Sequence, residues 1–268
     1  MRKIFFLIIA VVYLYAKPSQ DIIPISLKAK NFFEIIQPID FAYKDNVYRI
    51  FIAKSKSKAK NYKVLYTLDG NAFFSRFLNA FKTKPKYPLL IVALGYKGDA
   101  AFHMKERRKD YTPKVLGEEF KDGGNSEEFL AFFQDILLPF IEKQYPINKD
   151  FKGLFGHSFG GLFTLFALDK NTDLTHFFIN SPSLWWGQGS FLPSNFALKS
   201  CPKVFITQGE LEQNNFLVNR MKISKITPKE LAERIAKESS CEVGFKLFEK
   251  QTHGSVIEKD IQFALENF

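Results

Sequence analysis

The pentapeptide Gly156-His157-Ser158-Phe159-Gly160 constrains this chain more than any other stretch. An apolar run ending at Phe155 reads as a short buried strand, and Leu162 to Leu168 reads as a helix starting directly after it. A serine between the two must occupy a very tight turn, often with strained backbone angles, which pushes its oxygen out above the sheet. The flanking glycines let neighbouring backbone approach, and Gly161 adds a small residue where helix packs on strand. G-x-S-x-G alone arises often by chance. Its place between a strand and a helix makes it informative.

The flanking sequence supplies a sheet for such a turn. Lys28 to Ile39 and Phe41 to Lys54 alternate polar and apolar residues and read as two antiparallel strands. Lys54-Ser55-Lys56-Ser57-Lys58-Ala59-Lys60 reads as a solvated hairpin loop. Further strands are expected at Tyr62–Leu68, Tyr87–Leu94, Thr175–Asn180, Lys203–Thr207 and Val243–Phe248. Helices are expected at Ala72–Phe81, at Glu127–Tyr145 behind an N-cap at Ser126, and at Val256–Phe268. Phe129, Phe132, Phe133, Ile136, Leu137, Phe140 and Ile141 line one face of the second of these as core residues. Thr227 and Glu230 form a capping box for a helix over Pro228–Ser239. The polar segment from Lys97 to Ser126, with Pro113 and Gly123-Gly124, reads as a long surface connection, and Ser181 to Ala197 as a loop. Strands alternating with helices imply an α/β fold: a mostly parallel central sheet with helices on both faces. No repeat or linker interrupts it, so residues 17–268 are expected to form one domain.

The first residues read differently. Arg2 and Lys3 precede thirteen apolar residues from Ile4 to Ala16, and Lys17-Pro18-Ser19-Gln20 follows. This is the layout of a secretory signal peptide over residues 1–16, cleaved after Ala16, with an uncleaved anchor as the alternative. Thirteen residues span only about 20 Å as a helix, too little for an ordinary membrane crossing. The mature chain is then expected in the periplasm without a stable membrane anchor. In such a compartment Cys201 and Cys241, each just before an expected strand, either bridge or stay as two buried thiols.

The 268 residues carry a net charge of +10, which favours an anionic partner. No nucleic-acid motif accompanies that charge, so an anionic small substrate is the reading kept.

In an open parallel sheet, ligands gather at the carboxyl ends of the strands. Asp69-Gly70-Asn71, Ser158, Glu210/Glu212 and His253 all fall at such ends. A serine hydroxyl needs a base, because it is hardly ionised at neutral pH. His103 lies in the polar segment, His176 at a strand start, and His157 is expected to point away from its neighbour Ser158. His253, five residues beyond the last strand, is the candidate base, and the order serine–acid–histidine is that of an α/β-hydrolase. Glu212 is favoured over Glu210 as the acid, with a Ser158–His253 dyad as the alternative. The oxyanion hole is expected from the N–H groups of Phe159 and of the Gly70-Asn71 loop, with Asp69 fixing that loop through bonds to backbone.

Five segments then carry a resemblance: Leu68-Asp69-Gly70-Asn71, Arg107 to Pro113, Gly156 to Gly161, Ser181-Pro182-Ser183-Leu184-Trp185-Trp186, and Thr252-His253-Gly254-Ser255. In this order they resemble the bacterial esterase family of the α/β-hydrolases that includes periplasmic siderophore trilactone esterases, with the enterobactin type nearest. The resemblance implies hydrolysis of a catecholate siderophore, ferric or iron-free, by a serine hydrolase needing no cofactor or catalytic metal. Any iron arrives with the substrate. It also implies a serine–histidine dyad. A ferric tricatecholate is anionic and aromatic, so Arg107 (or Arg108) and Trp186 (or Trp185) are the candidate substrate-binding residues. A general carboxylesterase or thioesterase is the alternative enzyme, and a siderophore-binding protein with a vestigial site the alternative from another class.

Overall fold

The computed structural model describes residues 20–57, 61–214 and 224–268, so the leader expected over 1–16 lies outside the described residues. Eight strands, β1 (Phe33–Tyr43), β2 (Asn46–Ser55), β3 (Tyr62–Thr67), β4 (Leu89–Tyr96), β5 (Ile147–His157), β6 (His176–Asn180), β7 (Lys203–Gly209) and β8 (Val243–Phe248), form one sheet. Their order is β1-β2-β4-β3-β5-β6-β7-β8. β2 runs antiparallel to both β1 and β4, and every other pairing is parallel.

Among the described residues the α-helices are α1 (Leu27–Phe32), α2 (Gly70–Asn79), α3 (Met104–Tyr111), α4 (Ser126–Ala131), α5 (Leu138–Gln144), α6 (Phe159–Asp169), α7 (Pro228–Ser239) and α8 (Ile257–Asn267). Strand residues alternate between two cores, as the period of two requires. Val64, Tyr66, Val92, Leu154 and Ile179 face Phe129, Phe163 and Leu231. Leu65, Ile91, Phe155 and Phe178 face Phe73, Phe77 and Ile261 on the other side. All of β4 is buried, which its unbroken apolar run from Leu89 to Leu94 allows. Helices on both faces of a mostly parallel sheet are the α/β architecture expected.

Five local expectations are corrected. Lys28 to Phe32 is not strand: Ser26 accepts a hydrogen bond from the Ala29 N–H and starts the short helix α1. The β1–β2 turn lies at Lys44-Asp45, since alternation runs on through Tyr43. Pro38, which has no N–H to give the ladder, falls at a register shift between Ile36 and Ile39 on this edge strand. The basic stretch after Lys54 is no hairpin, because β2 and β3 are separated by β4; its residues 58–60 lie outside the described residues. The helix expected over Glu127–Tyr145 begins at Ser126, with Asn125 as its cap, and passes through a π-turn at Phe132–Leu137 between α4 and α5. Pro139 cannot donate to the Asp135 carbonyl, and the wider π register precedes it. Finally, the segment from Lys97 to Ser126 contains α3, which buries Arg107, Asp110 and Tyr111.

Candidate active site

Ser158 closes the turn between β5 and α6 with φ 61° and ψ −117°, a conformation that costs a non-glycine residue roughly 1–3 kcal/mol. The turn is held by the Ser158 N–H donating to the Asn180 carbonyl at 3.0 Å. It is also tight: a Cβ on Gly156 would sit 2.1 Å from the Gly160 carbonyl oxygen. Only glycine fits there.

His253 follows β8 in a loop clasped by reciprocal bonds between Thr252 and Ser255. Its Nδ1 lies 3.0 Å from Glu212 Oε2, so with an ionised carboxylate Nδ1 carries the proton and Nε2 is left as an acceptor. Glu212 sits in the turn after β7, only 5% exposed, and its Oε1 accepts from the Ser181 hydroxyl at 2.6 Å and the Gly209 N–H at 2.7 Å. Burial on its own would push the Glu212 carboxyl up. The bonds and charge of His253, with the bonds from Ser181 and Gly209, outweigh it and hold the group below the usual carboxylate range. Glu210 points elsewhere, accepting the Lys250 N–H at 2.8 Å.

Beneath His253 lies a second buried layer. The rings of His157 and His253 are 4.6 Å apart, and His157 Nδ1 is 3.2 Å from Asp260 Oδ2. Asp260 also accepts from the Thr207 hydroxyl at 2.7 Å. Burial, reinforced by the neighbouring His253, pushes His157 down to about 3, so it is neutral. Burial likewise raises Asp260 well above the usual carboxylate range.

On the other side of Ser158, the loop after β3 is built by side chains. Asp69 has left-handed backbone (φ 52°), and Arg107 grips its carboxylate with two bonds of 2.8 and 2.9 Å. The Asp69 N–H donates to the Tyr111 hydroxyl at 3.1 Å, and Asn71 exchanges bonds with the backbone of Tyr96. A Cβ on Gly70 would come within 2.9 Å of the Ala93 and Leu94 carbonyl carbons. Gly70 and Phe159 are the first residues of α2 and α6, so neither N–H has an acceptor within its helix.

Ser158, His253, Glu212, Phe159 and Gly70 are therefore brought to one end of the sheet, while two other candidates are not at its surface. Arg107 is buried, and Asp69 occupies its guanidinium; burial alone would depress its basicity, but Asp69 more than offsets that. It is a brace, not a free cation for substrate. The Asp69 carboxylate thus fixes its loop through Arg107 and not through backbone. Trp186 is 1% exposed and donates its indole N–H to the Pro113 carbonyl at 2.9 Å, which makes it core. Trp185 is the half-buried neighbour, its ring 5.7 Å from that of Phe159. Sequence reasoning missed Ser181, Ser183 and Asp260. Asp260 was findable as an acid on the core-facing stripe Val256, Asp260, Ile261, Ala264 of the last helix.

A half-buried hydroxyl on a strained turn, a histidine oriented by a carboxylate, and two free helix-first N–H groups suit attack on an ester or related carbonyl. Comparison with known proteins agrees. The chain is 30% identical to the ferri-bacillibactin esterase BesA of Bacillus subtilis, over 82% of this chain and 86% of that protein. It is 30% identical to the apo-salmochelin esterase of Escherichia coli, over 63% of this chain and 58% of that protein. In structure it matches the BES protein of Bacillus cereus with a TM-score of 0.71 at 30% identity, covering 93% of this chain and 97% of that one. The enterobactin and salmochelin hydrolase IroE matches with a TM-score of 0.68 at 25% identity, covering 88% and 95%. The profile of one family, described as Putative esterase, matches residues 46–241, and the chain belongs to that family.

Proposed function

We propose that this protein is an exported serine esterase that opens the trilactone of catecholate siderophores such as enterobactin, ferric or iron-free, in iron acquisition. The observation that carries the chemistry is the Glu212–His253 contact of 3.0 Å at the sheet end where Ser158 is displayed. The substrate class comes from relatives named for ferri-bacillibactin, salmochelin and enterobactin. The net charge of +10 and the half-buried Trp185 suit an anionic aromatic ligand.

Ser158 Oγ attacks a lactone carbonyl while His253 Nε2 takes its proton. Glu212 holds the imidazole in the tautomer that leaves Nε2 free and steadies the imidazolium that forms. The N–H groups of Phe159 and Gly70 receive the developing oxyanion. His253 then gives its proton to the departing serine hydroxyl of the substrate, and water, deprotonated in turn, releases the acyl group from Ser158.

The test is chromatography of enterobactin, ferric and iron-free, after incubation with the purified protein, alongside a p-nitrophenyl ester. Stepwise appearance of linear trimer, dimer and monomer, abolished by Ser158→Ala, is expected. Intact siderophore beside rapid p-nitrophenyl ester cleavage would move the function to a general carboxylesterase. Tight siderophore binding with no turnover of either would replace the enzyme with a binding protein.

A further inference from the structure

The turn Ser181-Pro182-Ser183 touches both ends of this relay, Glu212 through Ser181 and Ser158 through Ser183. Ser181 follows β6 with a strained positive φ of 42°, and its N–H donates to the Thr207 carbonyl at 3.0 Å. That twist sends its hydroxyl to Glu212 Oε1 at 2.6 Å. Two residues on, the Ser183 hydroxyl lies 3.3 Å from Ser158 Oγ, and the Ser183 N–H donates to the Ser158 carbonyl at 3.2 Å. Among the described residues, the hydrogen-bond contact of the Ser158 hydroxyl is this one with Ser183, not one with His253.

The turn is held firmly enough to transmit position. A Cβ on Gly161 would meet the Asn180 carbonyl oxygen at 2.6 Å, so the turn lies hard against the start of α6. Leu184 and Trp186 are buried beyond it, and the Trp186 N–H donates to the Ser183 carbonyl at 3.1 Å. Both serines are themselves buried, 3% and 5% exposed, so neither hydroxyl is free to exchange its partner for bulk water.

We propose that Ser181-Pro182-Ser183 is a positioning strut. Ser183 sets the rotamer of the Ser158 hydroxyl, and Ser181 supplies a fixed donor that keeps Glu212 aimed at His253. The inference rests on the reading of Ser158, His253 and Glu212 given above. Strain at Ser181 is the cost of presenting two hydroxyls, two residues apart, to the acid and to the nucleophile.

The experiment uses the full chain and a short p-nitrophenyl ester, so that siderophore recognition plays no part. Ser183→Ala is expected to lower kcat about tenfold with KM nearly unchanged, and to slow inactivation by a fluorophosphonate to match, while Ser183→Thr restores most of the rate. Ser181→Ala is expected to lower kcat similarly, and to have no further effect in a Glu212→Gln background. Thermal melting of each variant checks that folding is intact. Wild-type kcat in both alanine variants, or a Ser181→Ala loss that persists in full beside Glu212→Gln, overturns the strut. Ser158→Ala is the separate control: activity surviving it would overturn the nucleophile itself, whatever the serines of the turn do.

Discussion

At His157, burial decides the protonation state, and with it the pH response of the fold. A histidine ordinarily titrates near pH 6.5, but burial pushes His157 down to about 3 and His176 to about 4. Between those values and about 6.5 the unfolded chain binds protons that the folded chain refuses, so stability falls as pH falls through that range. Glu212, held below the usual carboxylate range, adds to the loss only in more acid solution, as pH drops through its own folded value. Asp260 runs the other way: its raised value lets the folded chain hold a proton that the unfolded chain gives up sooner, a contribution lost as pH rises. His157→Gln, which keeps a polar partner for Asp260, should therefore lose less melting temperature between pH 7 and pH 4 than the parent does. Melting curves across that range check this, and an unchanged slope would contradict it. Residue types alone made Ser158 and His253 legible, because each stands at the carboxyl end of an expected strand. They misplaced Arg107 and Trp186 for a physical reason. A cation or an indole reads the same in sequence whether solvent or a buried carboxylate or carbonyl receives it, and the receivers, Asp69 and Pro113, are remote in sequence.

α3 is the element whose role was least legible. Met104-Lys105-Glu106-Arg107-Arg108-Lys109-Asp110-Tyr111 is charged nearly all round and presents no apolar stripe. What buries it is pairing: Arg107 with Asp69, Asp110 with the Tyr96 hydroxyl at 3.1 Å, and Tyr111 with the Asp69 N–H. The helix thereby fixes the loop that presents the Gly70 N–H. Arg107→Leu should strip Asp69 of its partner and cost roughly 3–5 kcal/mol of stability, with kcat falling as the loop shifts. Adding Asp69→Asn should recover part of that stability, since the uncompensated charge is then gone. Denaturant unfolding of the single and double variants measures both steps; a double variant no more stable than Arg107→Leu would contradict the account. By contrast β3 to β8 and α7 were legible, because apolar runs of strand length and the Thr227–Glu230 capping box are local signals. α1 and the turn at Lys44-Asp45 escaped because six helical residues and an alternating strand look alike over so short a span.

On the scale of the whole molecule, one mostly parallel sheet gathers residues that are far apart in the sequence. Gly70 and His253 both lie at the carboxyl end of this sheet, after β3 and β8. Export is proposed from the leader expected over residues 1–16, and the Cys201–Cys241 disulfide suits an oxidising compartment. The two cysteines are 40 residues apart, so the bridge removes about 4 kcal/mol of unfolded-chain entropy in the loop-closure picture. Reductant should therefore lower the melting temperature of the oxidised protein, and a double cysteine-to-serine variant should melt lower and ignore reductant. Equal melting with and without reductant would contradict that contribution.

In the proposed mechanism Ser158 itself carries the opened siderophore between ring opening and release. Enterobactin mixed with the enzyme, quenched in acid within the first turnovers and digested for mass spectrometry, tests it most directly. The peptide containing Ser158 is expected to gain the mass of enterobactin itself, one water less than the free linear dihydroxybenzoylserine trimer, and the adduct to be absent in Ser158→Ala. Rapid siderophore hydrolysis with the Ser158 peptide unmodified, or hydrolysis undiminished in Ser158→Ala, would contradict it.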